Sequence, residues 1–110
     1  MPEFFSKIVG VTFSNPDGTS RQELIEDLED LRRGDGVAIL HLKRDPENPY
    51  DPNAVQVLFG ETRQLGFLSR QVAQTIAPLL DSGTRVQCEI AQITGHDLNH
   101  SFGINIRLSY

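Results

Sequence analysis

The residues best suited to bind a ligand lie in one polar stretch, residues 45–53, with the sequence DPENPYDPN. Prolines at positions 46, 49 and 52 rule out regular secondary structure and reduce the entropy of the unfolded chain, so the loop can be held in one conformation. Binding to a fixed loop costs little ordering, so this loop is a good recognition surface. It offers the side chains of Asn48, Tyr50, Asp51 and Asn53. The alternative is that Asn48 and Asp51 only form Asx-turns and that Tyr50 only packs.

The remaining residues that could do chemistry do not form a catalytic or metal-binding pattern. His96 and His100 share one loop, where two solvated histidines are expected because a metal site needs a rigid frame to aim both rings. His41 lies in a predicted strand and is expected to be a satisfied core or rim residue. Asp45 and Asp51 could hold magnesium for phosphodiester cleavage, but the lysine-and-carboxylate pattern of nucleases is absent. We therefore expect no catalytic residue, no metal and no cofactor.

Length and cysteine content point to one small intracellular domain. The 110 residues suffice for a single domain with a modest core, expected to span residues 1–110. No stretch reaches the roughly 18 apolar residues of a membrane span, and the N-terminus lacks the basic and apolar regions of a signal peptide. Cys88 is the only cysteine, which excludes an intrachain disulfide and favours a reducing, cytoplasmic location. Its alternation with Val86 and Ile90 predicts a small buried hydrophobe.

The net charge of −5 argues against a protein that coats DNA without specificity. Most of the excess lies in residues 17–35, which contain seven acidic and three basic residues and so carry −4, leaving −1 for the rest of the chain. Glu23, Asp27 and Asp30 are expected to form a solvated helix face. Such a face can point away from a binding surface, so the charge does not exclude a nucleic-acid ligand.

The hydrophobic pattern around the polar loop predicts six strands and two helices. Ser20 followed by Glu23 is a capping-box pattern that begins the first helix. Ser69 begins the second helix, which Pro78 is expected to kink or shorten. Gly10 interrupts the first strand and suggests a bulge or a close backbone approach. The strands are predicted at residues 7–13, 36–44, 54–59, 64–68, 85–93 and 101–108, the second being central with both faces partly buried.

The predicted order of elements is β-α-β-β-β-α-β-β. Six short strands with only two helices favour a mainly β fold, a small and partly open barrel with the helices at its margins. The last two strands are expected to form a hairpin across residues 95–100. A doubly wound sheet is not favoured, because neither helix opens with a glycine-rich phosphate loop.

Three segments resemble the characteristic motifs of the HIRAN domain family: VGVTF at residues 9–13, LKRDPENPYDPNAVQV at residues 42–57 and QLGFLSRQVA at residues 64–73. The resemblance runs over residues 8–108 and implies an OB-like β-barrel. It also implies binding of single-stranded DNA, with preference for a free 3′-hydroxyl end, in DNA repair or replication-fork processing. Larger members join the domain to a helicase-like ATPase or a nuclease. This sequence has no Walker A pattern, so such an enzyme would be a separately encoded partner.

The resemblance implies roles for two aromatic residues and one acid. Tyr50 would stack on a terminal base, since a ring face accepts any base. Phe13 would supply a second ring and complete a sandwich, with core packing as its alternative. Asp51 would accept a hydrogen bond from the 3′-hydroxyl, and it would repel a phosphate, so a strand that continues beyond this point is rejected. A turn-capping role is the alternative for Asp51.

The resemblance also implies contacts to the last phosphate. Arg70 lies at the start of the second helix, where an arginine beside free backbone N–H groups is a good anion site. Phe67 occupies a position near the same phosphate, but as an apolar residue it cannot donate a hydrogen bond there. Asn48 and the backbone next to it would contact the base or that phosphate.

Three more residues are candidates from the same resemblance. Phe102 begins the last strand and would line the nucleotide pocket, with core packing as the alternative. Lys43 and Arg44 would add positive charge along the DNA backbone. Surface ion pairs with Asp45 or Glu47 are the alternative for these two bases.

Three hypotheses for function remain open from the sequence. The first is the DNA-end-binding module. The second is a protein-interaction or regulatory domain that keeps the fold without binding DNA, supported by the acidic charge and by Thr12, where some relatives carry arginine. The third, an enzyme acting on nucleic acid, ranks below both. With about two phosphates neutralised, we expect at best micromolar affinity and a log–log salt slope of about −1.4.

Overall fold

The structure is a computed structural model that describes residues 2–36, 38–95 and 101–110. Within these residues it contains six strands and two helices in the predicted order, which confirms the mainly β fold. The strands are β1 (Glu3–Val9), β2 (Leu40–Arg44), β3 (Val55–Phe59), β4 (Arg63–Leu68), β5 (Gln87–Thr94) and β6 (Gly103–Ser109). The helices are α1 (Arg21–Arg33) and α2 (Arg70–Asp81).

The strands form one antiparallel sheet in the order β2-β3-β4-β1-β6-β5. Strand β1 joins two halves of the sheet: Glu3–Lys7 pair with β6, whereas Ile8 and Val9 pair with Leu68 and Phe67 of β4. The edge strands β2 and β5 also contact each other. The sheet therefore curls into a half-barrel, and β1 is one of its two central strands.

Both helices begin where the sequence predicted. The Ser20 hydroxyl accepts a hydrogen bond from the Glu23 N–H, and the Ser69 hydroxyl accepts one from the Val72 N–H, each at 3.3 Å. Side-chain acceptors at this position satisfy backbone donors that have no partner inside the helix. Glu23, Asp27 and Asp30 of α1 are exposed, as expected, whereas Glu29 is half-buried.

The core lies between the concave side of the sheet and the two helices. Ile25 and Leu28 of α1 and Ile76 of α2 are fully buried against it. Alternate residues of β6 supply Ile104, Ile106 and Leu108, which are also fully buried. Cys88 is buried beside them, which confirms its prediction as a small hydrophobe. Neither helix in the described residues is long and apolar enough to cross a membrane.

Two strands differ from their predicted positions. Strand β1 ends at Val9, because Gly10 has a positive φ of 74° that turns the chain out of the sheet, and Phe13 therefore lies in a turn. The predicted central strand at residues 36–44 begins only at Leu40 and forms an edge of the sheet, so the expectation of two partly buried faces is wrong. His41 on that edge is exposed and is not a core residue.

Helix α2 continues three residues beyond Pro78, so the proline does not end it. Pro78 is exposed, and water can therefore satisfy the carbonyl group that loses its N–H donor. The helix ends at Asp81, near Ser82 and Gly83, as predicted. The predicted hairpin is confirmed by the pairing of β5 with β6 from Gln87 and Ser109 to Thr94 and Gly103.

Candidate nucleic-acid interface

A groove with a volume of about 750 Å³ lies where β1 ends. Its walls come from β1 and the turn that follows it, β4, the loop between β2 and β3, and the first turn of each helix. The fold thus brings together segments that are far apart in the sequence. Six of the nine predicted site residues line the groove: Phe13, Asn48, Tyr50, Asp51, Phe67 and Arg70. Lys43, Arg44 and Phe102 do not.

The loop at residues 45–54 is held by the side chain of Asn48. Its Oδ1 accepts hydrogen bonds from the N–H groups of Tyr50 at 2.9 Å and of Asp51 at 3.2 Å, and its Nδ2 donates to Asp45 Oδ2 at 3.1 Å. Asp51 forms a second turn, because its Oδ1 accepts from the Asn53 N–H at 2.9 Å. The predicted Asx-turns therefore exist. The side chain of Asn48 is engaged within the loop, and its contact with a nucleic acid stays a prediction.

Arg44 fixes the same loop from outside the groove. It donates to the carbonyl oxygens of Ala54 at 2.8 Å and Pro52 at 3.0 Å, and it pairs with Asp81 at the end of α2 at 3.0 Å. The expected alternative pairing with Asp45 or Glu47 is therefore wrong for Arg44. Its guanidinium joins the loop to α2, which leaves it little capacity to contact DNA.

Two aromatic rings of the groove are strongly exposed. Tyr50 has 84% of its surface exposed and Phe13 has 67%, so core packing explains neither. The two rings do not stack on each other, since the one aromatic pair among the described residues is that of Phe4 with Tyr110. The predicted sandwich of the two rings around a base stays a prediction. Phe67 is half-buried beneath them.

Arg70 and Asp51 form the charged side of the groove. The Arg70 Nη2 donates to the carbonyl oxygen of Tyr50 at 2.7 Å, and its Nε lies 3.9 Å from Asp51 Oδ2. The Arg70 side chain remains 71% exposed, whereas that of Asp51 is 17% exposed. Asp51 therefore has a fixed orientation, and Arg70 keeps donors that face solvent.

The structure adds one charged residue that was not predicted, Arg21 at the start of α1. It is only 7% exposed, yet it lines the groove. Burial lowers the pKa of its guanidinium. The spacing contains a signal for its burial, because Arg21, Ile25 and Leu28 follow at intervals of four and three residues and share one helix face.

Two remaining candidates lie elsewhere. The N–H of Phe102 donates to Gln22 Oε1 at 2.7 Å and its carbonyl accepts from Gln22 Nε2 at 3.0 Å, so this backbone ties the start of β6 to α1. The ring of Phe102 packs against the core, which corresponds to the predicted alternative. Lys43 is exposed on the edge strand β2.

The described residues contain no group of three or more His, Cys, Asp and Glu side chains that could hold a metal ion. Asp45, one of the two carboxylates considered for magnesium, accepts a hydrogen bond from Asn48. His96 and His100 lie outside the described residues, so the interpretation of these histidines is not tested.

Fold and groove together define a curled antiparallel half-barrel with a preformed surface site beside a rigid loop. The sequence model of one family, described as the HIRAN domain, matches residues 3–110. The chain therefore belongs to the HIRAN domain family, which confirms the resemblance seen in its motifs.

Solved structures support the same fold. The HIRAN domain of human HLTF aligns with 97% of this chain and 73% of its own, with a TM-score of 0.65 and 20% identity. A protein from Lactobacillus plantarum aligns over 99% of this chain and 100% of its own, with a TM-score of 0.55 and 24% identity. At these identities the likeness concerns the fold alone.

Similar sequences occur within much longer proteins. A Fanconi-associated nuclease 1 homolog of Arabidopsis thaliana is 38% identical over 55 residues, which cover 50% of this chain and 6% of that protein. A helicase-like transcription factor of Oryctolagus cuniculus is 28% identical over 99% of this chain and 12% of its own length. The chain thus spans a small fraction of these relatives.

Proposed function

We propose that this chain binds single-stranded DNA at a free 3′-hydroxyl end, and that the groove holds the terminal nucleotide. The observation that carries the proposal is the placement of Tyr50. Its ring is 84% exposed on a loop that Asn48 and Arg44 hold from two sides. An exposed aromatic ring on a rigid support is suited to stacking, because ordering the partner surface costs little.

Stacking gives affinity for bases without a requirement for sequence. Phe13 exposes a second ring in the same groove, and the two rings do not stack on each other, so both ring faces are available to a base. A base that lies against one or both rings would bury apolar surface on both sides of the contact. Stacking on one aromatic side chain contributes about 1–3 kcal/mol per base.

Asp51 supports recognition of a hydroxyl end. One of its oxygens, Oδ1, accepts from the Asn53 N–H, while Oδ2 has Arg70 only at 3.9 Å and retains acceptor capacity. The 3′-hydroxyl of a terminal deoxyribose can donate to this oxygen. A phosphate at the same place would bring two like charges to about 4 Å, which costs about 1–4 kcal/mol at dielectric constants between those of water and a protein surface.

The proposal assigns binding, rather than catalysis, to this domain. Its support is the composition of the groove. Among the described residues that line it are two exposed aromatic rings, one carboxylate and two arginines, which suit contacts with a base, a hydroxyl and a phosphate. The relatives named as a nuclease homolog and a helicase-like transcription factor are many times longer than this chain. We propose that the domain delivers DNA ends to a separately encoded helicase or nuclease in DNA repair or fork processing.

The test is fluorescence anisotropy with a labelled strand of about ten nucleotides, a length within the range of small single-strand sites. One strand ends in a 3′-hydroxyl and its match ends in a 3′-phosphate. We expect tighter binding of the hydroxyl strand, and we expect Asp51→Asn to reduce that preference about tenfold or more, since about 1.4 kcal/mol corresponds to tenfold. Asp27→Asn on the exposed face of α1 makes the same charge change away from the groove and should leave the preference intact.

Equal binding of both strands by the unaltered protein would contradict end recognition while leaving single-strand binding in place. No binding of either strand would contradict the proposed function as a whole. The second hypothesis, a protein-interaction domain, would then be preferred, and the exposed acidic face of α1 would be the surface to test against partner proteins.

A further inference from the structure

Arg21 is a buried cation whose charge no carboxylate in the described part of the chain balances. Its Nε donates to Asn15 Oδ1 at 2.8 Å and its Nη1 donates to the carbonyl oxygen of Gly10 at 2.7 Å, both neutral acceptors. No ion pair joins it to any described acid. A buried charge without an opposite charge is costly, and an anion bound beside it would offset part of that cost.

The geometry of the guanidinium leaves one end open. Its carbon lies over the Phe67 ring, 5.6 Å from the ring centroid, which is within the range of a cation–π contact. Nη2 makes no hydrogen bond to a described residue. No buried side-chain nitrogen or oxygen in the described residues lacks a partner, so Nη2 must be accessible, and the side chain that carries it lines the groove.

The charges of the groove residues leave a net positive charge for a ligand. The Nε of Arg70 lies 3.9 Å from Asp51 Oδ2, and the two side chains carry opposite charges, so together they add no net charge to the groove. Arg21 therefore gives the groove residues a net charge of +1, although the protein as a whole has a net charge of −5. One phosphodiester carries one negative charge, and an arginine fork is well matched to two of its oxygens.

We propose that Arg21 is a phosphate ligand at the floor of the groove and binds one phosphodiester close to the 3′ end of the strand. The proposal rests on the proposed function, since it names the residue that reads the backbone of the same DNA. It assigns Arg21 the inner phosphate contact and Arg70 an outer one. The Phe67 ring, which lies beneath the guanidinium carbon in a cation–π contact, would then support this phosphate ligand from the side of the protein.

The test uses oligonucleotides in which each of the three linkages nearest the 3′ end is replaced, one at a time, by an uncharged methylphosphonate. In the unaltered protein, one replacement should weaken binding about tenfold, because it removes a charge-assisted contact. With Arg21→Gln, binding of the native strand should fall by a similar factor, and the same methylphosphonate should cause no further loss. With Arg21→Lys, the methylphosphonate should again weaken binding, but by a smaller factor than in the unaltered protein. Arg70→Gln should keep the dependence at the Arg21 linkage.

A purely structural role for Arg21 predicts a different pattern. Arg21→Gln would then weaken binding of all strands, and each methylphosphonate would still cost the same factor as in the unaltered protein. That additivity would overturn the proposal. Urea unfolding of each variant shows whether it remains folded under the binding conditions.

The unaltered protein supplies a second measurement that does not depend on a variant. The Nε–Hε resonance of Arg21 should shift on titration with the native strand and should shift less with the strand that lacks the relevant charge. If Tyr50 resonances shift and that of Arg21 does not, the DNA-binding proposal stands and the Arg21 proposal fails. If no strand binds at all, inorganic phosphate becomes the probe. An Arg21 resonance that stays unchanged at high phosphate concentration would then overturn the proposal that Arg21 binds an anion.

Discussion

The Arg70 guanidinium donates a hydrogen bond to the carbonyl oxygen of Tyr50 at 2.7 Å, across twenty residues of sequence. The start of α2 is thereby joined to the loop that carries the most exposed ring of the groove. A base stacked on Tyr50 would bring its own backbone toward the same guanidinium. Stacking and charge neutralisation are therefore expected to act together in this protein, and variants at either residue should affect both.

Arg70→Gln should lower the salt dependence of DNA binding. Removal of one phosphate contact from two changes the slope of log affinity against log salt from about −1.4 to about −0.7. Anisotropy titrations at several salt concentrations measure it. Arg33→Gln is the matched control, because its side chain is 65% exposed against 71% for Arg70 and it lies at the end of α1. An unchanged slope with Arg70→Gln would remove this residue from the interface.

Tyr50→Ala should weaken binding of a single strand without affecting stability. Loss of one base stack corresponds to about 5- to 150-fold in affinity, whereas substitution of a surface residue changes the free energy of unfolding by about 0.5 kcal/mol or less. Tyr50→Phe keeps the ring and should bind nearly as well. Phe5→Ala removes a ring as exposed as that of Phe13 but outside this groove, and it should bind normally. Equal losses for Phe5→Ala and Tyr50→Ala would contradict the assignment.

The order of elements and the loop at residues 45–54 could be predicted from the sequence because both depend on local patterns. Alternation, capping serines and turn residues fix the strands, helices and turns, and three prolines mark the loop. The position of β2 at an edge could not be predicted in the same way. Whether a strand is central depends on how the whole sheet curls, and β2 meets β5 only after that curvature exists.

Six residues of the groove could be predicted from the segments with motifs, whereas Arg21 was missed because its burial conflicts with its charge. Arg21 shares a helix face with buried leucine and isoleucine residues, but a charged residue at such a position is ordinarily expected at the surface. Its place in the groove depends on Gly10, which turns the chain so that its carbonyl accepts from the guanidinium. Arg44 is the opposite case: it was predicted to contact DNA, but its guanidinium donates to carbonyl oxygens within the protein.

Gly66→Ala should destabilise the fold where β1 meets β4. A methyl group at this position would collide with the backbone oxygen of Val9 and would lie 2.7 Å from Ile8 Cγ2, so the two central strands would have to separate. We expect a loss of about 2–4 kcal/mol in the free energy of unfolding, as for other overpacked sites with a strained backbone. Gly18→Ala is the control: its φ of 88° is also positive, but no atom lies within 4 Å.

Urea unfolding would measure both variants. Gly18→Ala should lose only the cost of the left-handed conformation, about 1–2 kcal/mol. If the two variants lost equal stability, the close approach of β1 and β4 at Gly66 would not be energetically important. Because Val9 also lines the groove, Gly66→Ala should in addition weaken DNA binding under conditions where it remains folded.

Alkaline pH should destabilise the protein through Cys88. Burial, with a smaller contribution from Glu89, raises the pKa of this thiol from 9.0 to about 12. Below pH 9 the thiol is protonated in both states and the contribution to stability is complete. Above pH 9 the unfolded chain loses the proton while the folded chain keeps it, so the unfolded state is favoured by about 1.4 kcal/mol for each pH unit up to the folded pKa.

Lysine and tyrosine residues also titrate in this range, so the measurement compares the unaltered protein with Cys88→Ala. Urea unfolding of both at pH 8, 9, 10 and 11 gives two curves of stability against pH. Cys88→Ala should start lower at pH 8, because the smaller side chain leaves a cavity, and the gap should narrow as pH rises. Parallel curves would show that the thiol titrates alike in both states and that its burial has no effect on its ionisation. If the difference in free energy of unfolding between the two proteins decreases with pH, the packing around Cys88 on β5 excludes water from its thiol in the folded protein.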